Sequence, residues 1–99
     1  MDELIINNEK DELTILEDNK TNIHLKMVSA IEKSYTDDIS SMTIMRIINN
    51  YRGYTMVLKI EKGSWVESLE KSLNYFSDIE DYLKCQEIKI LIKKIVKWN

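Results

Sequence analysis

Tyr54-Thr55-Met56-Val57-Leu58-Lys59-Ile60-Glu61-Lys62-Gly63-Ser64-Trp65-Val66-Glu67 changes its hydrophobic period at Gly63, and that change decides the fold class. Before the glycine, Tyr54, Met56, Leu58 and Ile60 alternate with Thr55, Val57, Lys59 and Glu61, the pattern of a strand with one buried face. Beyond it, 100° steps place Trp65, Val66, Leu69, Leu73, Phe76 and Ile79 on one face and Glu67, Glu70, Lys71, Asn74 and Asp78 on the other, so an amphipathic helix follows. Ser64 and Glu67 have the spacing of a capping box, in which hydroxyl and carboxylate satisfy each other's orphan amides. A strand running directly into such a helix predicts an α+β fold.

Working upstream, Asn50-Tyr51-Arg52-Gly53 reads as a hairpin tip, with glycine supplying a left-handed conformation. The segment before it, rich in β-branched residues, is then the partner strand, although Ile44, Ile47, Ile48 and Tyr51 also fit a helical face. A β-hairpin across Thr43 to Glu61 is expected. The first forty residues are mixed. Leu4-Ile5-Ile6 fits a strand, a short helix or an arm, and Leu13 to Leu25 fits a hairpin around Glu17-Asp18-Asn19-Lys20. Against that hairpin, Ile23, Met27, Ile31 and Tyr35 recur every four residues behind Asn22 as an N-cap, so a helix over Leu25 to Ser34 is expected.

Downstream, Asp78-Ile79-Glu80-Asp81 is a polar pause with Asp81 placed as an N-cap. A second helix then carries Cys85, Ile88, Leu91, Ile92, Ile95 and Val96 on one face. No proline or glycine interrupts this region, so one long helix is the alternative to an antiparallel helical hairpin over residues 64–98; the hairpin is the expectation.

The chain has 99 residues, 43% apolar and 31% charged, which suits a single small domain rather than a disordered segment. No apolar run approaches the roughly 18 residues of a membrane span, and Met1-Asp2-Glu3 lacks a signal peptide's basic start, so a soluble cytoplasmic protein is expected. Cys85 is the sole cysteine, which excludes an internal disulfide or a multi-cysteine metal cluster and fits a reducing compartment. Charge is unevenly spread. Met1 to Lys20 carries Asp2, Glu3, Glu9, Asp11, Glu12, Glu17 and Asp18 against two lysines, whereas Leu83 to Asn99 carries Lys84, Lys89, Lys93, Lys94 and Lys97 against Glu87. Such ends attract each other within a monomer or between head-to-tail copies, or steer the basic end toward an acidic partner.

Leu69-Glu70-Lys71 and, after a gap, Ile79 to Ile92 resemble the UVR motif, the helical hairpin of the excision-repair proteins UvrB and UvrC and of McsA-type protease adaptors. Asp81 matches the acidic N-cap of that pattern, Tyr82 its aromatic, Lys84 its lysine, Cys85 its first small residue, Glu87 its glutamate, Ile88 its leucine, Lys89 its arginine and Ile92 its closing aliphatic. The resemblance implies a protein-interaction hairpin and no activity. Leu83 and Ile90 stand where the family is usually acidic and Gln86 where it is usually small, so the family's partner does not carry over.

Those departures fall on the wrong side of the second helix. Leu83 and Ile90 lie about 210° from Ile88, among Gln86, Glu87, Lys93, Lys94 and Lys97. They either pack on the N-terminal region or a neighbouring helix, or form an apolar stripe with a lysine rim, a pattern suited to a partner or dimer interface. The candidate partner-binding residues are therefore Leu83, Ile90, Lys93, Lys94, Lys97 and Trp98. Lysines beside an aromatic also suit weak nucleic-acid binding, but the net charge of −3 and the scarcity of arginine argue against sequence readout. His24, the only histidine, is expected half-exposed at the surface. Glycine-rich phosphate loops, zinc-ligand clusters, calcium-loop spacings and nucleophile elbows are all absent from the sequence, so a non-enzyme without metal or cofactor is expected.

Overall fold

The computed structural model describes residues 2–97. Strand β1 (Asp2–Ile6) is followed by helices α1 (Glu9–Asp18) and α2 (Lys20–Asp37), the hairpin strands β2 (Ser41–Asn49) and β3 (Tyr54–Glu61), a short 3₁₀ turn (Lys62–Ser64), and helices α3 (Trp65–Asp78) and α4 (Tyr82–Lys97). The sheet order is β1-β2-β3, with β1 parallel to β2 and β3 antiparallel to it. This is the expected α+β architecture with its β-hairpin and C-terminal helical hairpin.

Tyr54 to Glu61 forms the expected strand, but the face expected to be buried is covered only toward its end: Ile60 is buried and Leu58 half-buried, while Tyr54 and Met56 are exposed. Gly53 at φ 78 closes the hairpin by donating its amide to Asn49 O at 2.7 Å. Register explains why β2 is harder to read. Met42 pairs with Ile60 and Met45 with Leu58, so one extra residue is accommodated between Thr43 and Met45. That irregularity lets Met42 on one side, and Met45, Ile47 and Asn49 on the other, share a face. Ile6, Met45, Ile47 and Ile60 are buried on that face. The opposite face carries the Arg46–Glu3 ion pair at 3.2 Å and the half-exposed Ile5 and Val57.

The N-terminal region resolves into a strand and two helices, and the hairpin alternative around Glu17 to Lys20 is not formed. Asn8 Oδ1 accepts the Asp11 amide at 2.9 Å while Asp11 Oδ2 accepts the Asn7 amide at 3.1 Å, a reciprocal pair of bonds that starts α1. At Asn19 the backbone leaves the helical region (φ −107, ψ 10) before α2 begins. Helix α2 extends beyond the expected Leu25 to Ser34 at both ends, and Asn22 lies inside it rather than capping it. The predicted stripe does face the core: Ile31 is buried, with Met27 and Tyr35 packed beside it.

The capping box at Ser64 is not formed. The 3₁₀ turn delivers Ser64 at φ −115, ψ 6, outside the extended conformation from which an N-cap hydroxyl reaches the helix amides, and its side chain makes no cap bond. Glu67 pairs with Lys71 at 3.6 Å instead. At the other end of α3 the chain turns back sharply. Glu80 takes a left-handed conformation at φ 61, Asp81 N donates to Phe76 O at 2.9 Å, and Glu80 N donates to Ser77 O at 3.0 Å, the two bonds of a Schellman motif. Asp81 then caps α4 as expected, its Oδ1 accepting the Lys84 amide at 3.1 Å.

One hydrophobic cluster joins these parts: Val28, Ala30 and Ile31 of α2, Ile60 of β3, Trp65, Leu69 and Phe76 of α3, and Cys85, Ile88, Leu91 and Ile95 of α4. Leu73 and Ile92 sit at its margin, half-buried. No helix among the described residues is long and apolar enough to cross a membrane.

Ile88 lies at the centre of the cluster, so Ile88→Ala is expected to cost about 2 to 5 kcal/mol in urea unfolding as a buried large-to-small change. Glu80→Gly works in the opposite direction. A side chain held left-handed costs roughly 1 to 2 kcal/mol, partly offset by the greater freedom of glycine in the unfolded chain, so a gain of about 1 kcal/mol is expected. For a domain of this size that raises Tm by about 4 to 8 °C; an unchanged or lowered Tm in a thermal melt would contradict the turn geometry.

Candidate functional site

The outward face of α4 is built by the turn at Glu80 and Asp81. Once Asp81 fixes the helix start, Cys85, Ile88, Leu91 and Ile95 are directed inward, and the opposite stripe must face solvent. Leu83 is 77% exposed and Ile90 50% exposed, so the possibility that they pack on the N-terminal region is not realised. Lys93, Lys94 and Lys97 are exposed beside them, and Trp98 lies outside the described residues. The structure thus brings five of the six candidate residues onto one helix, with Lys94 and Lys97 continuing the Leu83–Ile90 stripe and Lys93 next to it.

Electrostatics separates α4 from the acidic end. Asp2 is paired with Lys26, Glu3 with Arg46, Glu12 with Arg52 and, loosely at 3.9 Å, Glu17 with Lys20. On α4, Lys84 pairs with Glu87 at 2.7 Å. Among the described residues no ion pair joins the N-terminal acids to α4, and Lys89, Lys93, Lys94 and Lys97 have no carboxylate partner.

Two polar clusters escaped sequence reasoning. At the carboxyl ends of β1 and β2, the buried Asn49 donates its Nδ2 to Glu12 Oε2 at 3.0 Å and accepts the Arg52 amide on Oδ1 at 2.9 Å, while Arg52 Nε also donates to Glu12. The hydrogen bond from Arg52, then that from Asn49, holds the Glu12 carboxyl below its usual range. Asn50 Nδ2 donates to Asn7 Oδ1 at 2.9 Å nearby. Each group here is satisfied by another, so the cluster ties the hairpin tip to α1. Sequence could have flagged only Asn8 and Asp11, spaced as a helix start.

The second cluster joins α2 to α3. His24 Nδ1 lies 2.7 Å from Ser72 Oγ, and its ring stacks on Tyr75 at 4.5 Å between centroids, with Thr21 hydrogen-bonded to the Tyr75 hydroxyl. His24 is half-exposed, as expected, although its ring is engaged with Ser72 and Tyr75. A serine beside a histidine suggests nucleophilic chemistry, but Ser72 is fully buried and no substrate can approach its oxygen. No carboxylate hydrogen-bonds the other ring nitrogen among the described residues. The pair therefore acts as a polar clamp between helices. Nor do three His, Cys, Asp or Glu side chains converge to hold a metal ion among the described residues.

No protein-family model, curated protein or solved structure matches this chain.

Burial, and then repulsion from Lys20, holds the His24 pKa below its ordinary value. The unfolded chain therefore takes up this proton first, so the associated stability is complete above about pH 6.5 and is lost as pH falls through that value toward the folded pKa. Urea unfolding from about pH 7.5 to about pH 5.5 is expected to show wild-type stability falling more steeply than that of His24→Gln. Parallel curves would show that the clamp does not titrate in this window.

Proposed function

We propose that the protein is a small, non-enzymatic binding or regulatory module that engages a protein partner through the outward face of α4. The observation that carries this reading is the exposure of Leu83 and Ile90 on one stripe, rimmed by lysines that no carboxylate neutralises among the described residues. Large apolar side chains exposed inside a charged rim are the arrangement in which desolvation drives association and the rim supplies steering. The UVR-like hairpin suits the same role, since its tight turn and rigid core present one helix face without reorganisation on binding. Cytoplasmic action agrees with a lone thiol, Cys85, buried in the core and away from oxidants.

The lysines also favour a second reading, weak binding to nucleic acid, because uncompensated cations suit phosphate contacts. Arginine availability weighs against sequence readout, since Arg46 and Arg52, the only two in the chain, are both engaged with carboxylates.

The test compares immobilised wild type with Leu83→Glu plus Ile90→Glu in quantitative pull-downs, with circular dichroism to show that helix content is kept. Specific partners retained by the wild type are expected to be lost by the double variant. An identical set of partners, retained to the same extent, would remove α4 as the interaction surface.

A further inference from the structure

Helix α1 exposes a pair of leucines, and its charge is the opposite of α4. It contains no buried residue; Leu13 is 74% exposed and Leu16 44% exposed. On a helical wheel Leu13 is flanked within about 60° by Leu16, Glu9, Glu17 and Lys10. Glu12, about 100° from Leu13, is turned to Arg52 and Asn49. Over its length α1 has five carboxylates against Lys10, and α4 has five lysines against Glu87. Each helix therefore exposes a pair of large aliphatic side chains: the rim of Leu13 and Leu16 is mildly acidic, with Glu9 and Glu17 against Lys10 and Glu17 loosely paired with Lys20, and the rim of Leu83 and Ile90 is basic.

We propose that the α4 face is occupied by α1 of a second copy of this chain, packed head to tail; the proposal rests on the reading of α4 as the interaction surface. Dimensions suit the pairing. Leu83 and Ile90 are about 10 Å apart along their helix, and Leu13 and Leu16 are about 4.5 Å apart along theirs, so the leucines fit between the α4 side chains. Helix α1 is about 15 Å long, and in that position its Glu9 end comes just past Ile90, within side-chain reach of Lys94. The same contact is not available inside one molecule, where no ion pair links α1 to α4 among the described residues. Because the two surfaces differ, the contact is heterologous. Each bound copy still offers one free α1 and one free α4, and association continues until a ring closes or a chain ends.

Two variants with opposite halves of the contact disabled test this. Leu13→Glu plus Leu16→Glu spoils α1 and leaves α4 intact, whereas Leu83→Glu plus Ile90→Glu spoils α4 and leaves α1 intact; all four side chains are exposed, and circular dichroism confirms folding. In sedimentation velocity at low salt, the wild type is expected to gain mass with concentration and to lose that gain as salt screens the rims. Each variant alone should sediment as a monomer, and an equimolar mixture should form a one-to-one dimer and nothing larger. A mixture that stays monomeric while the wild type associates, or a wild type that stays monomeric throughout, would overturn the proposal. If the α1 variant associates like the wild type while the α4 variant does not, α1 is excluded as occupant and the α4 surface stands. If the α4 variant associates like the wild type, the surface itself fails.

Discussion

The two-sided burial of α2 is the constraint on which the rest of the molecule depends. Its Val28, Ala30 and Ile31 belong to the same cluster as Ile60 of the sheet and as Leu69 and Ile88 of the helical hairpin. Neither layer has a full core without it: three strands with one buried face need a helix to cover that face, and a two-helix hairpin needs a third surface to exclude water. His24 adds a polar fastening at the same seam, where stacking on Tyr75 and the bond to Ser72 set the rotation of α2 against α3. Packing supplies most of the adhesion there, and the clamp selects one alignment from those that packing alone would tolerate.

The same arrangement determines which charges remain available. The sheet and its connections absorb acids from the N-terminal region: Glu3 goes to Arg46 across the open sheet face, and Glu12 goes to Arg52 at the hairpin tip. Helix α4 has no such neighbour on its outward side, so its lysines face solvent. Net charge alone conceals this, because a total of −3 is the difference between a partly neutralised acidic half and a nearly unneutralised basic helix. What another molecule meets is the local field, not the total.

Legibility in the sequence followed how much of each element's environment lies nearby in the chain. The paired amphipathic helices α3 and α4 could be read because burial imposes period 3.6 on neighbouring residues, and β3 with Gly53 could be read from its alternation although only its Ile60 end is buried. The off-face positions of Leu83 and Ile90 followed from the same wheel. Helix α1 could not be read this way, since it buries no residue and its leucines point outward; only the Asn8–Asp11 spacing marked it. Strand β1 pairs with residues 45–49, far along the chain, and parallel pairing leaves no turn signature. The bulge near Ile44 shifts the alternation within β2, so a strictly periodic reading of that segment conflicts with itself. Ser72 and His24 are 48 residues apart, and no short-range pattern connects them.

The parallel docking of β1 also orders events in time. On a growing chain Asp2–Ile6 emerges before its hydrogen-bonding partner, which is complete only when Asn49 has been made. The β2–β3 hairpin and the α3–α4 pair close over short loops, which costs little chain entropy, whereas β1 must close a loop through two helices before it gains a single ladder bond. With Ile6 as its only buried side chain, the strand gains little until the rest is assembled. A strand made before its partner is thus the last to find its place. In the native state, too, a parallel edge strand with one buried side chain opens at low local cost.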